Sequence, residues 1–366
     1  MTTKIKDVIA HIESFAPPAL QESYDNAGLI VGDKNQDLKG ILICLDSIEA
    51  VVDEAIEMGA NLIVAHHPIL FSGLKKITGN SYMERVIIKA IKNDIAIYAA
   101  HTNLDNVQNG VNAIFAEKLG LTNTKILSPK KGLLNKLITF IPESHLNAVQ
   151  NALYEAGAGK IGKYSECGFS AKGRGTFKAE EGTTPFVGER GKRHTESEYR
   201  LETIFPSHLK GKIIQALNTH HPYEEVAYDI YSVENIWTEV GSGMIGTLNE
   251  SMEIIDFLTF LKDKMKCGSI KYTKPHKKKI SKVAICGGSG SFLLGSAKAK
   301  NADIFITGDF KYHQFFDAED KIIIADIGHY ESEQYTNELF YNLLKEKFST
   351  FAIRVTNLNT NPINYF

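Results

Sequence analysis

Five short apolar runs constrain this chain more than anything else in it, because each stops abruptly at residues able to carry chemistry. Gly40–Leu45 ends in Asp46, Leu62–Ala65 in His66-His67-Pro68, and Ile95–Ala100 in His101. Asp303–Thr307 ends at Gly308-Asp309, and Ile322–Asp326 leads into Gly328-His329. Continuous apolar runs of this length read as strands buried on both faces. In an open α/β sheet, chemistry collects just beyond the carboxyl ends of such strands.

Helical periodicity separates the runs. Ile5, Val8, Ile9, Ile12 and Phe15 line one face of a helix that Pro17-Pro18 stop. Further helices are expected over Ile48–Met58, closed by Gly59, over residues 82–92, and from Val111 to Leu119. Alternation of strand and helix argues for a parallel α/β sheet. The second part repeats the plan weakly: strand 282–286, helix 291–300 and strand 303–307 echo strand 41–45, helix 48–58 and strand 62–65, while strand 322–326 with His329 and Glu333 echoes strand 95–100 with His101 and Asp105. Residues 1–126 and 246–366 therefore read as two similar α/β halves of one metal-binding domain. Between them, residues 127–245 change texture: strand 136–141, a helix over 144–156 with Ser144 as N-cap, a Gly- and Lys-rich passage, strand 199–205, helix 207–217 and strand 226–233. That order matches a split βαβ, ferredoxin-like α+β module inserted between the halves.

The candidate ligands gathered at strand ends are His66, His67, His101, Asp105, His329 and Glu333. Imidazoles combined with carboxylates make an N/O donor set suited to zinc, manganese or iron. Adjacent residues of an extended segment point to opposite sides, so His66 and His67 are expected to serve two neighbouring ions rather than one. His329 and Glu333 stand four apart at a helix start and share a face, as His101 and Asp105 do. A metal pair would polarise a substrate oxygen and acidify water. His101 is read either as a ligand or as a residue hydrogen-bonding one. Gly287-Gly288-Ser289-Gly290, after a strand and before a helix, is either an anion cradle or a tight structural turn. His220-His221-Pro222-Tyr223-Glu224-Glu225 imitates the first site in composition but comes after a helix, and is read as a connection.

At Asp25-Asn26-Ala27-Gly28-Leu29, Ala65-His66-His67-Pro68, His101-Thr102-Asn103-Leu104-Asp105, Thr307-Gly308-Asp309 with Tyr312-His313, Gly328-His329-Tyr330-Glu331-Ser332-Glu333 and the closing Asn-Thr-Asn-Pro, the chain resembles the Nif-three-like family of GTP cyclohydrolase 1 type 2 homologs. The resemblance spans essentially the whole chain. It implies a dinuclear site of two divalent ions, zinc first, on His66, His67, Asp105, His329 and Glu333. Glu333 would be the bridging ligand and a catalytic residue, with His101 and His313 lining the pocket and shuttling protons. The implied reaction is hydrolytic opening of the guanine imidazole ring of GTP, or attack on another nucleotide-like or phosphorylated metabolite. A non-enzymatic metal regulator or trafficking scaffold is the competing expectation. Gly157-Ala158-Gly159-Lys160-Ile161-Gly162, Cys167-Gly168-Phe169 and His221-Pro222-Tyr223-Glu224-Glu225 are similar to the PII-like (CutA-like) insert of longer family members. Those members imply a ligand-sensing insert and a toroidal homohexamer.

Composition narrows the setting. A net charge of -2 leaves no electrostatic footprint for nucleic acid, and the basic run Lys274–Lys279 is short. No apolar run approaches the ~20 residues of a membrane span. Cys44, Cys167, Cys267 and Cys286 form no CxxC pair, which points to a reducing compartment and a cytoplasmic protein without a cysteine-type zinc site.

Overall fold

In the computed structural model, which describes residues 2–366, fifteen strands carry the architecture. They begin with β1 (Gly28–Val31), β2 (Gly40–Cys44), β3 (Leu62–Ala65), β4 (Ala96–Ala99) and β5 (Thr122–Lys130). Next come β6 (Leu134–Pro142), β7 (Gly168–Lys178), β8 (Arg193–Pro206), β9 (Tyr228–Val233) and β10 (Trp237–Glu253). The last are β11 (Lys271–Tyr272), β12 (Lys279–Ser289), β13 (Ile304–Gly308), β14 (Ile323–Asp326) and β15 (Ala352–Val355). The chain forms two compact units, one of Met1–Ser128 with Val240–Phe366 and one of Pro129–Glu239.

The larger unit holds two mixed sheets, ordered β1-β4-β3-β2-β15 and β11-β14-β13-β12-β10-β5. Three consecutive strands in each are parallel, and in each a short antiparallel strand closes the same edge: β1 on β4, β11 on β14. The repeat seen in the sequence is thus a repeat of sheet plan. The two halves are not self-contained, because β15 returns across the whole chain to pair in parallel with β2, Ile353 opposite Ile41. The opposite edge differs too, since β10 runs antiparallel to β12. β1, β10 and β11, all antiparallel to their neighbours, make the sheets mixed rather than purely parallel.

Burial follows the sequence pattern. Every residue of β2, β3, β4, β13 and β14 is buried. The amphipathic helix Glu49–Met58 lays Val51, Val52 and Ala55 on the first sheet. Ile254–Lys264 does the same on the second with Phe257, Leu258 and Leu261. Gly59 ends its helix at φ 73°, in the left-handed region that favours glycine. No helix is long and apolar enough to cross a membrane among the described residues.

The smaller unit is a four-stranded antiparallel sheet ordered β7-β8-β6-β9, with helices Leu146–Glu155 and Lys210–His220 on one face. Its core is Leu137, Ile141, Val149, Leu153, Leu201, Phe205, Ile213 and Leu217. This is the split βαβ order. Ser144 is not an N-cap: it sits in a 3-10 turn over Glu143–His145, bonded to His145 Nδ1, and the helix begins after it.

Candidate metal centre

The carboxyl ends of β2, β3, β4, β13 and β14 deliver Asp46, His66 with His67, His101, Asp309 and His329 to one region, and Asp46, His67, His101 and His329 line its cavity of about 800 Å3. Two short helices, Thr102–Asp105 and His329–Glu333, add Asp105 and Glu333. Glu333 is buried, at 3% exposure, and both its oxygens face imidazoles. Oε2 lies 3.0 Å from His67 Nε2 and 3.1 Å from His329 Nε2; Oε1 lies 3.7 Å from His66 Nε2, which is itself 3.6 Å from Asp105 Oδ1. Two donor triads result, His67-His329-Glu333 and His66-Asp105-Glu333, one for each oxygen of the shared carboxylate. His101 joins His66 and His67 in a third group. Just past β3 the chain bends, so the His66 and His67 rings lie only 4.9 Å apart, each aimed at a different oxygen.

Each ring is held from behind. His66 Nδ1 donates to the Ala100 carbonyl at 2.9 Å. His67 Nδ1 is 2.7 Å from Asp46, His101 Nδ1 2.8 Å from Asp25, and His329 Nδ1 2.6 Å from Asp309. Thr360 Oγ1 fixes the other oxygen of Asp46 at 2.6 Å. With Nδ1–H donating backwards, every Nε2 presents its lone pair to the centre, the arrangement that orients metal-bound histidine. His67 Nε2 and His329 Nε2 stand 3.3 Å apart. Two lone pairs at that separation repel unless a cation or a proton lies between them.

The same deficit appears elsewhere. His66 Nε2 and Asp105 Oδ1 are shielded from solvent and have no hydrogen-bond partner among the described residues. Unpaired buried polar atoms are costly, and a divalent cation would satisfy both. Without one, protons substitute. Burial pulls the His67 pKa down, but Asp46 and Glu333 outweigh it and lift it to about 9. Glu333, against the effect of burial and helped by Asp309, lifts His329 to about 11. Burial and the neighbouring Glu333 charge push Asp105 up to about 7. Burial alone would raise Glu333, yet His329 and its neighbours hold it well below the usual carboxylate range. Burial would raise Asp25 as well, but His101 and Thr102 hold it low. The donor set is compatible with a divalent metal.

His313 is not brought to this cluster. It lies exposed on the 3-10 helix Tyr312–Ala318, its ring 5.2 Å from that of Tyr312, and it does not line the cavity. The left-handed backbone of Asp309, φ 60°, turns the chain so that Asp309 rather than His313 reaches His329. The glycine run is a structural turn and not an anion cradle. The N–H of Gly287 donates to Asn112, that of Gly288 to Ser332 and that of Gly290 to Thr307. Its second duty is clearance: a Cβ on Gly288 would stand 2.3 Å from Glu333 Oε1. His220 and His221 gather no ligands among the described residues; His220 is exposed, and His221 Nε2 donates to the Phe140 carbonyl. Asp25, Asp46 and Asp309 are visible in the sequence only as residues at motif or strand ends. Their role in aligning imidazoles needs the distances.

The model describing the Duf34/NIF3 (NGG1p interacting factor 3) family matches residues 3–362. A protein of Bacillus subtilis (strain 168) named GTP cyclohydrolase 1 type 2 homolog is 40% identical, the match covering 98% of each chain. One of the same name from Halalkalibacterium halodurans is also 40% identical, again over 98% of both. The crystal structure of a Bacillus cereus protein related to NIF3 is similar with a TM-score of 0.87 and 39% identity, covering 100% of both chains.

Proposed function

The chain belongs to the Duf34/NIF3 family, and from that premise we propose that the two triads sharing Glu333 hold a pair of divalent ions in a hydrolase acting on a nitrogen heterocycle of the nucleotide kind. The observation that carries this reading is the shared buried carboxylate, with one oxygen for His67 and His329 and the other beside His66 and Asp105. His66, His67, Asp105, His329 and Glu333 would hold the ions; zinc suits the donors best, with manganese and iron next. Bound there, the ions would supply Lewis acidity and acidify water at neutral pH.

The chain's own residues do the rest. Asp46, Asp309 and the Ala100 carbonyl hold three imidazoles in one tautomer. His101, backed by Asp25 and lining the cavity, is placed to accept a proton from water and return it to a leaving nitrogen. Tyr24, Phe71 and Phe292 give the cavity aromatic faces for a flat ring. Opening of the guanine imidazole ring, the reaction that the relatives' name implies, fits such walls. No Lys or Arg lines the cavity among the described residues, and the N–H groups of Gly287, Gly288 and Gly290 are already taken. The heterocycle, rather than a triphosphate, is therefore the part the protein would recognise. The same lack of cations favours a second reading, a metal-handling protein without turnover.

Metal-reconstituted protein assayed against GTP, guanosine and free guanine decides between them. Ring opening that survives removal of the phosphates and disappears in Glu333→Ala supports the hydrolase. Two tightly held ions with no turnover of any of the three would leave the metal-handling reading. Fewer than one transition metal per chain would overturn both. The homohexamer implied by the family resemblance is part of the proposal, and light scattering of the purified protein tests it.

A further inference from the structure

We propose that the Pro129–Glu239 unit carries a small-molecule site of its own, a cavity of about 710 Å3 that takes a flat organic cation of the amidinium or guanidinium type between aromatic rings and the Glu198 carboxylate. The cavity lies on the face of the β7-β8-β6-β9 sheet opposite the two helices. Alternation sends Leu137, Ile141, Leu201 and Phe205 into the helix-covered core. Phe140, Glu198 and Phe177 therefore face the other way, with Gly173 paired to Glu198 and Phe177 to His194.

Glu198 is the centre of the site. It is only 7% exposed, yet it lines the cavity. Oε1 accepts the Tyr223 hydroxyl at 2.8 Å, while Oε2 has no hydrogen-bond partner among the described residues. Oε2 occupies the space that a side chain on Gly175 would need, since a Cβ there would come within 1.9 Å of it. Oε2 is thus the one carboxylate oxygen of a nearly buried residue left free to accept from whatever enters the cavity. Cations along the wall are engaged elsewhere: Lys172 with Glu143, Lys178 with Glu180 and Arg200 with Glu202. With those pairs set aside, Arg174 remains with Glu198, Glu225 and Glu224, the last accepting the Thr184 N–H, so carboxylates outnumber cations on the remaining wall.

The rest of the wall is aromatic. The Tyr223 ring stands 6.1 Å from Phe177 and 6.2 Å from Phe186, tilted 55° and 48°. Phe186 is half exposed in the 179–191 connection, its ring 5.4 Å from that of His145 in an edge arrangement. Ring faces attract cations, and a carboxylate beside them completes recognition of a planar nitrogen cation. The His221-Pro222-Tyr223 segment supports this set. His221 Nε2 donates to the Phe140 carbonyl at 2.9 Å, and Nδ1 accepts the Tyr223 N–H at 3.2 Å, which fixes the tyrosine over Glu198. His221, one of the two histidines that imitate a metal motif, is thus a brace for a different site.

Calorimetric titration of the full-length protein with benzamidinium, benzamide and benzoate tests the assignment. Benzamidinium is expected to bind saturably with Kd on the order of 0.1–1 mM, and benzamide about tenfold more weakly, the difference carried by the charge. Benzoate should not bind. Glu198→Gln, which keeps an acceptor for Tyr223, should bring benzamidinium down to the benzamide level. Phe186→Ala, at a half-exposed position that does not threaten folding, should weaken benzamidinium about threefold to tenfold. Thermal unfolding of both variants verifies that they are folded. No saturable binding of benzamidinium up to about 10 mM, equal binding of benzamide, or binding unchanged in both folded variants overturns the proposal.

Discussion

Replacing Gly288 by alanine should disable the proposed metal centre while leaving every candidate ligand in the sequence. Gly288 has φ +62°, and an added Cβ would stand 2.3 Å from Glu333 Oε1 and 3.3 Å from His329 Cε1. Ordinary contact begins near 3.4 Å, so the carboxylate must retreat by about 1 Å. Metal–ligand distances tolerate about ±0.2 Å, so a displacement of that size breaks ligation at the oxygen beside His66. Loss of supporting contacts alone costs roughly 10–100-fold in affinity, and displacement of a shared ligand should reach at least the upper end. The left-handed backbone adds about 1–2 kcal/mol of strain. The protein should remain folded, with a modest fall in melting temperature. Competition against a chromophoric chelator measures the affinity, and differential scanning calorimetry the stability. Gly295→Ala, where an added Cβ meets nothing within 4 Å, is the control and should leave both unchanged or slightly improved. Unaltered zinc affinity in Gly288→Ala would show that Glu333 Oε1 ligates nothing, and the two-triad reading would fall with it.

Asp309→Asn should lower metal affinity about 10–100-fold by removing the carboxylate that aligns His329, whereas Thr360→Val, one step further from the ring, should lower it by less than Asp46→Asn does; equal effects of the last two would contradict the relay from Thr360 through Asp46 to His67. The metal-free and metal-loaded proteins should show opposite pH slopes in urea. His67 and His329, raised to about 9 and about 11, contribute stability that is complete below their ordinary pKa near 6.5 and lost as pH climbs through the raised values. Asp105, raised to about 7, is ionised in the unfolded chain but not in the folded one above about pH 4, so stability falls between there and pH 7. Glu333, Asp25 and Asp46 are lowered and act only at the acid end, where stability is lost as they protonate. Without metal, stability should therefore decline from mildly acidic to alkaline pH; with metal it should rise over the same range, since protons compete for the ligands. Parallel slopes would rule out the cluster as the binding place.

The candidate metal centre is legible because buried strands leave an unambiguous mark, and in an α/β sheet the residues just past their carboxyl ends gather at one place. His66, His67, His101, Asp105, His329 and Glu333 can be collected from that rule; the narrower set of five ligands without His101 is what the family resemblance implies. Their mates cannot. Asp309 and His313 both come after β13, and only the left-handed turn at Asp309 decides which of them reaches His329. The glycine run lies between a strand and a helix as a phosphate cradle does, while its actual partners, Asn112, Ser332 and Thr307, come from three other segments. β10 leaves little trace in the sequence because only six of its 17 residues are buried and it carries Gly241 and Gly243. β15 leaves less, since it is only four residues long, too short for the alternation of Ile353 and Val355 with Ala352 and Arg354 to stand out; its reason for being a strand is the edge of β2.

That edge has a history within each molecule's synthesis. Ile41 and its neighbours are made early, but their partner strand lies some three hundred residues later, and Thr360, which steadies Asp46, later still. At about 5–20 residues per second, the interval is roughly 15–60 s. Throughout it a wholly apolar strand of the first sheet has an unpaired flank, available to any other extended chain. The ribosome-bound half-protein is thus the sticky form, and His67 gains its full support only when that interval ends. Closure of the sheet edge and completion of the support behind His67 therefore arrive together, at the end of synthesis.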